Sequence, residues 1–358
     1  MPSERSPSQG GFPASRFLGL FLALPWACPS TRRGAPGCSN TSTVRKRSLG
    51  RSGIAVGELG LGTWGLSGES YGPVSDAGLV QVLEAATDEG CTFFETAACY
   101  REGRVETCLG QLARGHGRDR LVLSTRIGVD RSVQPPRKRF ETAWINEACE
   151  ASLRRFDTDH VDVLVLHNPR LATVQQGAAI DALVRLRQAG KTRLVGVSIG
   201  AVEVGRAALA CGVDVLVLPY NLLHPGILHE LSGEIAARET AVVVRSPLAY
   251  GLLADTWDGD RPFSEDDHRH QRWTSEELAR RIRQRDAARL LVHAHVRSLR
   301  EAALRYVLAN GLVSVVVPGA RTSEQARQNA RSADVLPYLL EDDLARLGQA
   351  LARGDVAG

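Results

Sequence analysis

Apolar positions along this chain follow two alternating rhythms. One is a short, almost wholly apolar run of four to six residues, as in Val161-Asp-Val-Leu-Val-Leu166 and Ala241-Val-Val-Val244. The other is a longer stretch with apolar residues every three or four positions. Such runs predict strands at 58–62, 91–94, 121–124, 161–166, 192–197, 213–218, 241–244 and 313–317. Helical spacing predicts helices over 76–89, 105–114, 142–156, 174–188, 202–211, 226–238, 276–294, 297–309 and 323–330, with a last one over 341–352. Strands that alternate with helices imply a parallel sheet, and apolar residues at successive positions suit strands covered on both faces. Eight such units predict a closed (β/α)8 TIM barrel, an α/β fold. Ahead of it, the turn signal Arg51-Ser52-Gly53 between short strand-like pieces predicts an N-terminal β-hairpin. The helix at 341–352 is an extra one at the C-terminal end. The 45–358 segment therefore reads as one barrel unit.

Residues 1–44 break this pattern. They are rich in Pro, Ser, Gly and Arg and read as a disordered or targeting-like tail. Within them Phe17 to Cys28 form an apolar run too short to span a bilayer. Its length suits the core of a signal segment, and the arginines suit a transit peptide. An untargeted or mis-started extension stays equally open. The tail also explains the charge. The formal net charge is +4, from 44 basic and 40 acidic residues, but residues 1–53 hold eight of the basic ones against Glu4 alone. The rest carries 36 basic and 39 acidic residues, so no broad basic surface for nucleic acid is expected. Lysine occurs only at 46, 138 and 191. The seven cysteines form no CxxC and no even ladder, which suits reduced thiols and a cytoplasmic setting.

Candidate chemistry gathers at the C-terminal ends of the strands, the rim on which barrels build their sites. Glu95 and Tyr100 follow the second strand, Arg126 ends the third and His167 the fourth. Ser198 ends the fifth, and Ser246 follows the seventh. After the eighth strand, Gly319, Ala320 and Arg321 lead into a helix that Thr322 or Ser323 can cap, offering an anion site at its amides. Gly60-Leu-Gly-Thr-Trp-Gly65 matches a dinucleotide fingerprint by letter, but loop rather than helix follows it, so a first strand turning into its loop fits better. The pairs His268/His270 and His293/His295 lack metal-site spacing, and no metal is expected.

Taken together these segments resemble the aldo/keto reductases, in the bacterial-type branch that also includes the potassium-channel β subunits. The resemblance covers 47–346. It rests on Leu49-Gly-Arg-Ser-Gly53, Leu59-Gly-Leu-Gly-Thr-Trp64, Phe94-Glu-Thr-Ala97, Tyr100, Asp162-Val-Leu-Val-Leu-His-Asn168, Gly196-Val-Ser198, Pro219-Tyr-Asn-Leu-Leu223, Arg245-Ser-Pro-Leu-Ala249, Gly251-Leu-Leu253 and Val317-Pro-Gly-Ala-Arg321 with Gln325 and Asn329. It implies NADP(H) laid across the barrel top and hydride transfer to a small carbonyl substrate, an aldehyde or ketone. The family's Asp, Tyr, Lys and His fall at Glu95, Tyr100, Arg126 and His167. Tyr100 is then the general acid, His167 orients the carbonyl, and Glu95 with Arg126 tunes the phenol. For the cofactor, the resemblance implies contacts from Gly62, Thr63, Trp64, Ser198, Arg245, Ser246, Leu248, Gly319, Ala320, Arg321, Thr322, Gln325 and Asn329. Where relatives carry Asn after the Ser and Gln before the Tyr of strand six, this chain has Ile199 and Val217. A catalytically weakened NADP(H)-binding barrel, acting as a redox sensor or interaction protein, is the alternative expectation. No stable membrane span is expected, and oligomeric state is not legible.

Overall fold

A computed structural model describes residues 44–255, 257 and 263–353. The tail expected over 1–44 lies outside these residues, except for Val44. Eight parallel strands, β1 (Leu61–Gly62), β2 (Phe93–Ala97), β3 (Val122–Ile127), β4 (Val161–Leu166), β5 (Thr192–Ser198), β6 (Val215–Pro219), β7 (Ala241–Arg245) and β8 (Val313–Val317), stand side by side in chain order. Parallel bridges Leu59↔Val316 and Gly62↔Gly319 join the first strand to the last and close the ring. Closure needs a glycine at 62, because a Cβ there would lie 2.8 Å from the Val317 carbonyl oxygen. The fold is the (β/α)8 barrel that the alternation predicts.

Strand periodicity then decides what faces the axis. Inward positions form a core of Phe93, Val122, Val163, Val165, Leu194, Val215, Val217, Ala241, Val243, Val315 and Val317. Leu49, Ile54 and Val56 of the predicted hairpin (Lys46–Ser48 with Ala55–Gly57) plug this core from below. Outward positions such as Phe94, Leu123, Leu164 and Val242 join the larger core under the helices. Stepping up two residues from the inward core reaches Glu95 from Phe93, Arg126 from Val122 by way of Ser124, His167 from Val165, and Arg245 from Val243. The period of two therefore turns an aliphatic barrel floor into a polar, charged ceiling.

Several boundaries differ from expectation, each for a physical reason. The second and third strands run to Ala97 and Ile127, three residues beyond the apolar runs. Their ladder continues through Glu95↔Ser124 and Ala97↔Arg126, where backbone pairing outlasts the hydrophobic pattern. The helix expected over 174–188 is split into Leu171–Gln175 and Ala178–Gln188 around Gly177, whose φ of +77° no α-helix contains. A second hairpin, Val129–Asp130 with Arg137–Lys138, follows β3. Its strands are two residues long, too short to carry a hydrophobic alternation, and so left no mark in the pattern.

Candidate active site

The ceiling of the barrel opens into a cavity of about 610 Å³. Most of the residues singled out from sequence line it: Gly62, Trp64, Glu95, Tyr100, Arg126, His167, Arg245, Ser246, Leu248, Gly319, Ala320, Arg321, Gln325 and Asn329. Three do not. Thr63 is buried, and its hydroxyl donates to the Glu95 carbonyl at 3.0 Å. Ser198 is also fully buried. Thr322 is exposed and caps the helix Ser323–Ala330, accepting from Gln325 N at 3.2 Å.

Arg126 is the hub of the reactive end. Its Nε lies 2.5 Å from Glu95 Oε1, with both side chains buried. Its Nη1 lies 3.0 Å from His167 Nε2, and its Nη2 donates to the Tyr100 hydroxyl oxygen. A guanidinium has donors only. His167 Nε2 must therefore accept, which leaves the ring proton on Nδ1, the atom 3.9 Å from Cys99 Sγ. Burial first, then the nearby cations Arg126 and Lys138, push the imidazole pKa far below its usual value, so His167 is neutral at physiological pH. The Tyr100 oxygen already accepts from Arg126, which leaves its own O–H free to donate into the cavity.

Burial raises the Tyr100 pKa above that of a free phenol, and Arg126 pulls against the rise. Burial likewise raises the Glu95 carboxyl, with Arg126 and then Arg245 opposing. A buried pair of this kind gains little over an apolar filling, but loss of one partner strands the other, at about 3–5 kcal/mol. The arrangement can hold a phenol protonated at neutral pH and stabilise its anion when the proton leaves.

Beyond this hub the cavity is cationic. Arg126, Arg131, Arg245, Arg269, Arg272, Arg300 and Arg321 all line it. Glu95 pairs with Arg126, Glu69 with Arg131 and Asp267 with Arg269. Among the described residues no carboxylate pairs with the other four. Arg245 is held by the Ile199 carbonyl at 3.1 Å and keeps a buried Nε without a partner among the described residues. Arg321 donates to the backbone carbonyls of Tyr71 and Pro73. The loops after β1 and β7 meet through His268 N, which donates to Ser70 O at 2.8 Å, and through an aromatic group in which Trp64 lies 4.5 Å from His268 and 5.4 Å from Tyr71. Ser246 is strained, at φ +55°, and the Asn221 amide fixes its carbonyl at 2.9 Å.

Sequence reasoning missed Cys99, Arg131, Asn168, Arg269, Arg272 and Arg300 as cavity residues. Cys99 and Asn168 stood beside residues already singled out. Arg269 and Arg272 belong to the charged, irregular loop after the seventh strand, where no periodicity marks which side chains turn inward. Arg300 sits in the first turn of the helix Leu299–Ala309, which precedes β8, so no strand end marks it. Among the described residues no group of three or more His, Cys, Asp or Glu could hold a metal.

The sequence pattern of the aldo/keto reductase family matches residues 58–352. The aldo-keto reductase YhdN of Bacillus subtilis is 26% identical over 286 residues, covering 78% of this chain and 85% of its own. Pyridoxal 4-dehydrogenase of Microbacterium luteolum is 30% identical over 323 residues, covering 79% and 91%. Among solved structures, a holo aldo-keto reductase of Bacillus halodurans superimposes with a TM-score of 0.72 at 26% identity, over 87% of this chain and 97% of that one. An aldo-keto reductase of Klebsiella pneumoniae in complex with NADPH gives 0.65 at 25%, over 87% and 96%.

Proposed function

This chain belongs to the aldo/keto reductase family of nicotinamide-dependent oxidoreductases, and we propose that it reduces aldehydes or ketones with NADPH. The reading assigns the activity to residues 45–358. The observation that carries it is the Tyr100 phenol on the cavity wall, its oxygen held by Arg126 and its O–H uncommitted.

The cavity fits the cofactor by charge. Four arginines without carboxylate partners suit a dinucleotide that carries an extra 2′-phosphate. Arg321, with Gly319 and Ala320, stands at the start of a capped helix, as an anion site requires. Asn329 keeps a buried Oδ1 with no partner among the described residues, and Gln325 lies one turn before it, so both are suited to an adenine edge. Ser246 and Leu248 suit the pyrophosphate, and Gly62 with Trp64 suits the approach between the two ends. Thr63 and Thr322 then act by shaping the loop and the helix start.

When bound, NADPH supplies the hydride that converts the carbonyl carbon to an alkoxide. Tyr100 gives its hydroxyl proton to the developing oxyanion. Arg126 stabilises the phenolate left behind, and Glu95 holds Arg126 in place. Solvent reprotonates the phenolate through the open cavity. His167 accepts from Arg126 and so orients the guanidinium. Because its Nε2 is an acceptor in this arrangement, it donates to a substrate carbonyl only if Arg126 shifts and the ring proton moves to Nε2. The free phenol O–H favours this reading over a binding-only sensor. Single-turnover oxidation of bound NADPH by a reactive aldehyde tests it, with 4-deuterated NADPH expected to leave deuterium on the alcohol carbon. NADPH that binds but stays unoxidised across a panel of aldehydes and ketones would leave only the sensor reading.

A further inference from the structure

The reactive end of the cavity presents one neutral amide, and its setting is specific. Asn168 follows His167 at the top of β4, faces the cavity, and has a φ of +49°. That left-handed conformation suits Asn better than most residues with a side chain. Ser198, at the end of the adjacent β5, is wholly buried, and its hydroxyl donates to Asn168 Oδ1 at 2.7 Å. This bond occupies the acceptor side of the amide and turns the Nδ2 donors outward, with no partner among the described residues.

A nicotinamide placed to deliver hydride beside the Tyr100 oxygen carries its carboxamide one ring atom from the reacting carbon. That group needs partners on the same wall. The neighbouring positions cannot supply them, since Ile199 and Val217 are apolar and fully buried. Arg126 and His167 are committed to each other and to Tyr100, and Arg245 is bound to the Ile199 carbonyl. We propose that Asn168 is the residue that orients the nicotinamide carboxamide, donating to its oxygen through Nδ2, with Ser198 as the positioning residue that fixes the amide. The proposal rests on the NADP(H) reading above.

The test separates the two ends of the cofactor. Asn168→Gly removes the amide at a φ that glycine adopts freely. Asn168→Asp keeps the acceptor for Ser198 and removes the donor. Both variants and the parent are titrated with NADPH and with adenosine 2′,5′-bisphosphate, which lacks the nicotinamide. Each variant is expected to weaken NADPH about fivefold, the scale of one neutral hydrogen bond, and to leave the bisphosphate unchanged. Ser198→Ala should shift NADPH in the same direction by less. Unchanged NADPH affinity, or equal loss for both ligands, overturns the role of Asn168. If Asn168→Gly does not fold, the Asp variant decides alone. A parent that binds neither ligand overturns the cofactor reading and this proposal with it, an outcome distinct from binding that ignores residue 168.

Discussion

The two ends of the cavity are built by different means. At the reactive end, side chains hold side chains: Glu95, Arg126, Tyr100 and His167 form one buried contact network in which every member depends on Arg126. At the other end, backbone does most of the work. Arg321 N donates to Gln325 Oε1 at 2.8 Å, the Asn329 amide donates to Gly319 O at 3.1 Å, and Thr322 caps the helix. A network of buried charges is sensitive to any single change, while a site made of helix start and carbonyls tolerates substitution. The resemblance places Glu95 and Arg126, at the sensitive end, where an Asp and a Lys are expected.

The largest effect should come from removing the proposed proton donor. Tyr100→Phe should slow single-turnover reduction by at least about a hundredfold while NADPH affinity stays near the parent value. Comparable loss of binding would mean that the phenol holds the cofactor rather than serving the chemistry. Next, Glu95→Gln should cost about 3–5 kcal/mol in denaturant unfolding, because it strands the buried guanidinium. Combining Glu95→Asp with Arg126→Lys should cost less than the two singles added, and additive losses would refute the coupling. The rate of that double variant sharpens the contrast further. A gain means the reactive end has drifted from its optimum, and a loss means that it is specialised.

At the other end, Arg321→Gln should reduce the preference for NADPH over NADH by about tenfold with little change in melting temperature. An unchanged ratio of the two affinities would move the 2′-phosphate contact to another of the cavity arginines. Thermal stability should also depend on pH in a stated direction. Burial depresses the pKa of His167, and takes His229 and His268 down to about 4. Their unfolded values lie near 6.5, so the unfolded chain binds more protons in this window. The histidine contribution should therefore be constant above pH 6.5, and the melting temperature should fall as pH drops from 6.5 toward 4. His229→Gln should flatten that slope in calorimetry, and an unchanged slope would mean the histidines do not carry it. The smallest effect is expected from Thr322→Ala, about 1 kcal/mol of stability with the reduction rate within about twofold.

The barrel was legible because its signal is local and repeated. Eight apolar runs of strand length, each followed by helical spacing, leave few alternatives, and the rim positions follow from where those runs end. That is how Glu95, Tyr100, Arg126 and His167 could be grouped from sequence, although Tyr100 and His167 stand 67 positions apart. The small hairpin after β3 was not legible, since strands of two residues each leave no hydrophobic period. Nor was Arg300, which the start of a helix rather than the end of a strand carries to the cavity.

By itself, then, the order of apolar and polar residues determined the strand count, the inward period of two and the rim on which reactive groups sit. These depend on neighbours along the chain and on burial that any closed barrel imposes. The tertiary structure alone decided which atom of Arg126 meets which partner, and hence that His167 accepts and Tyr100 is free to donate. It also decided that Ser198 lies behind Asn168 rather than on the cavity wall. Those assignments depend on distances of a few ångströms between strands far apart in sequence, and hydrogen-bond polarity turns on such distances.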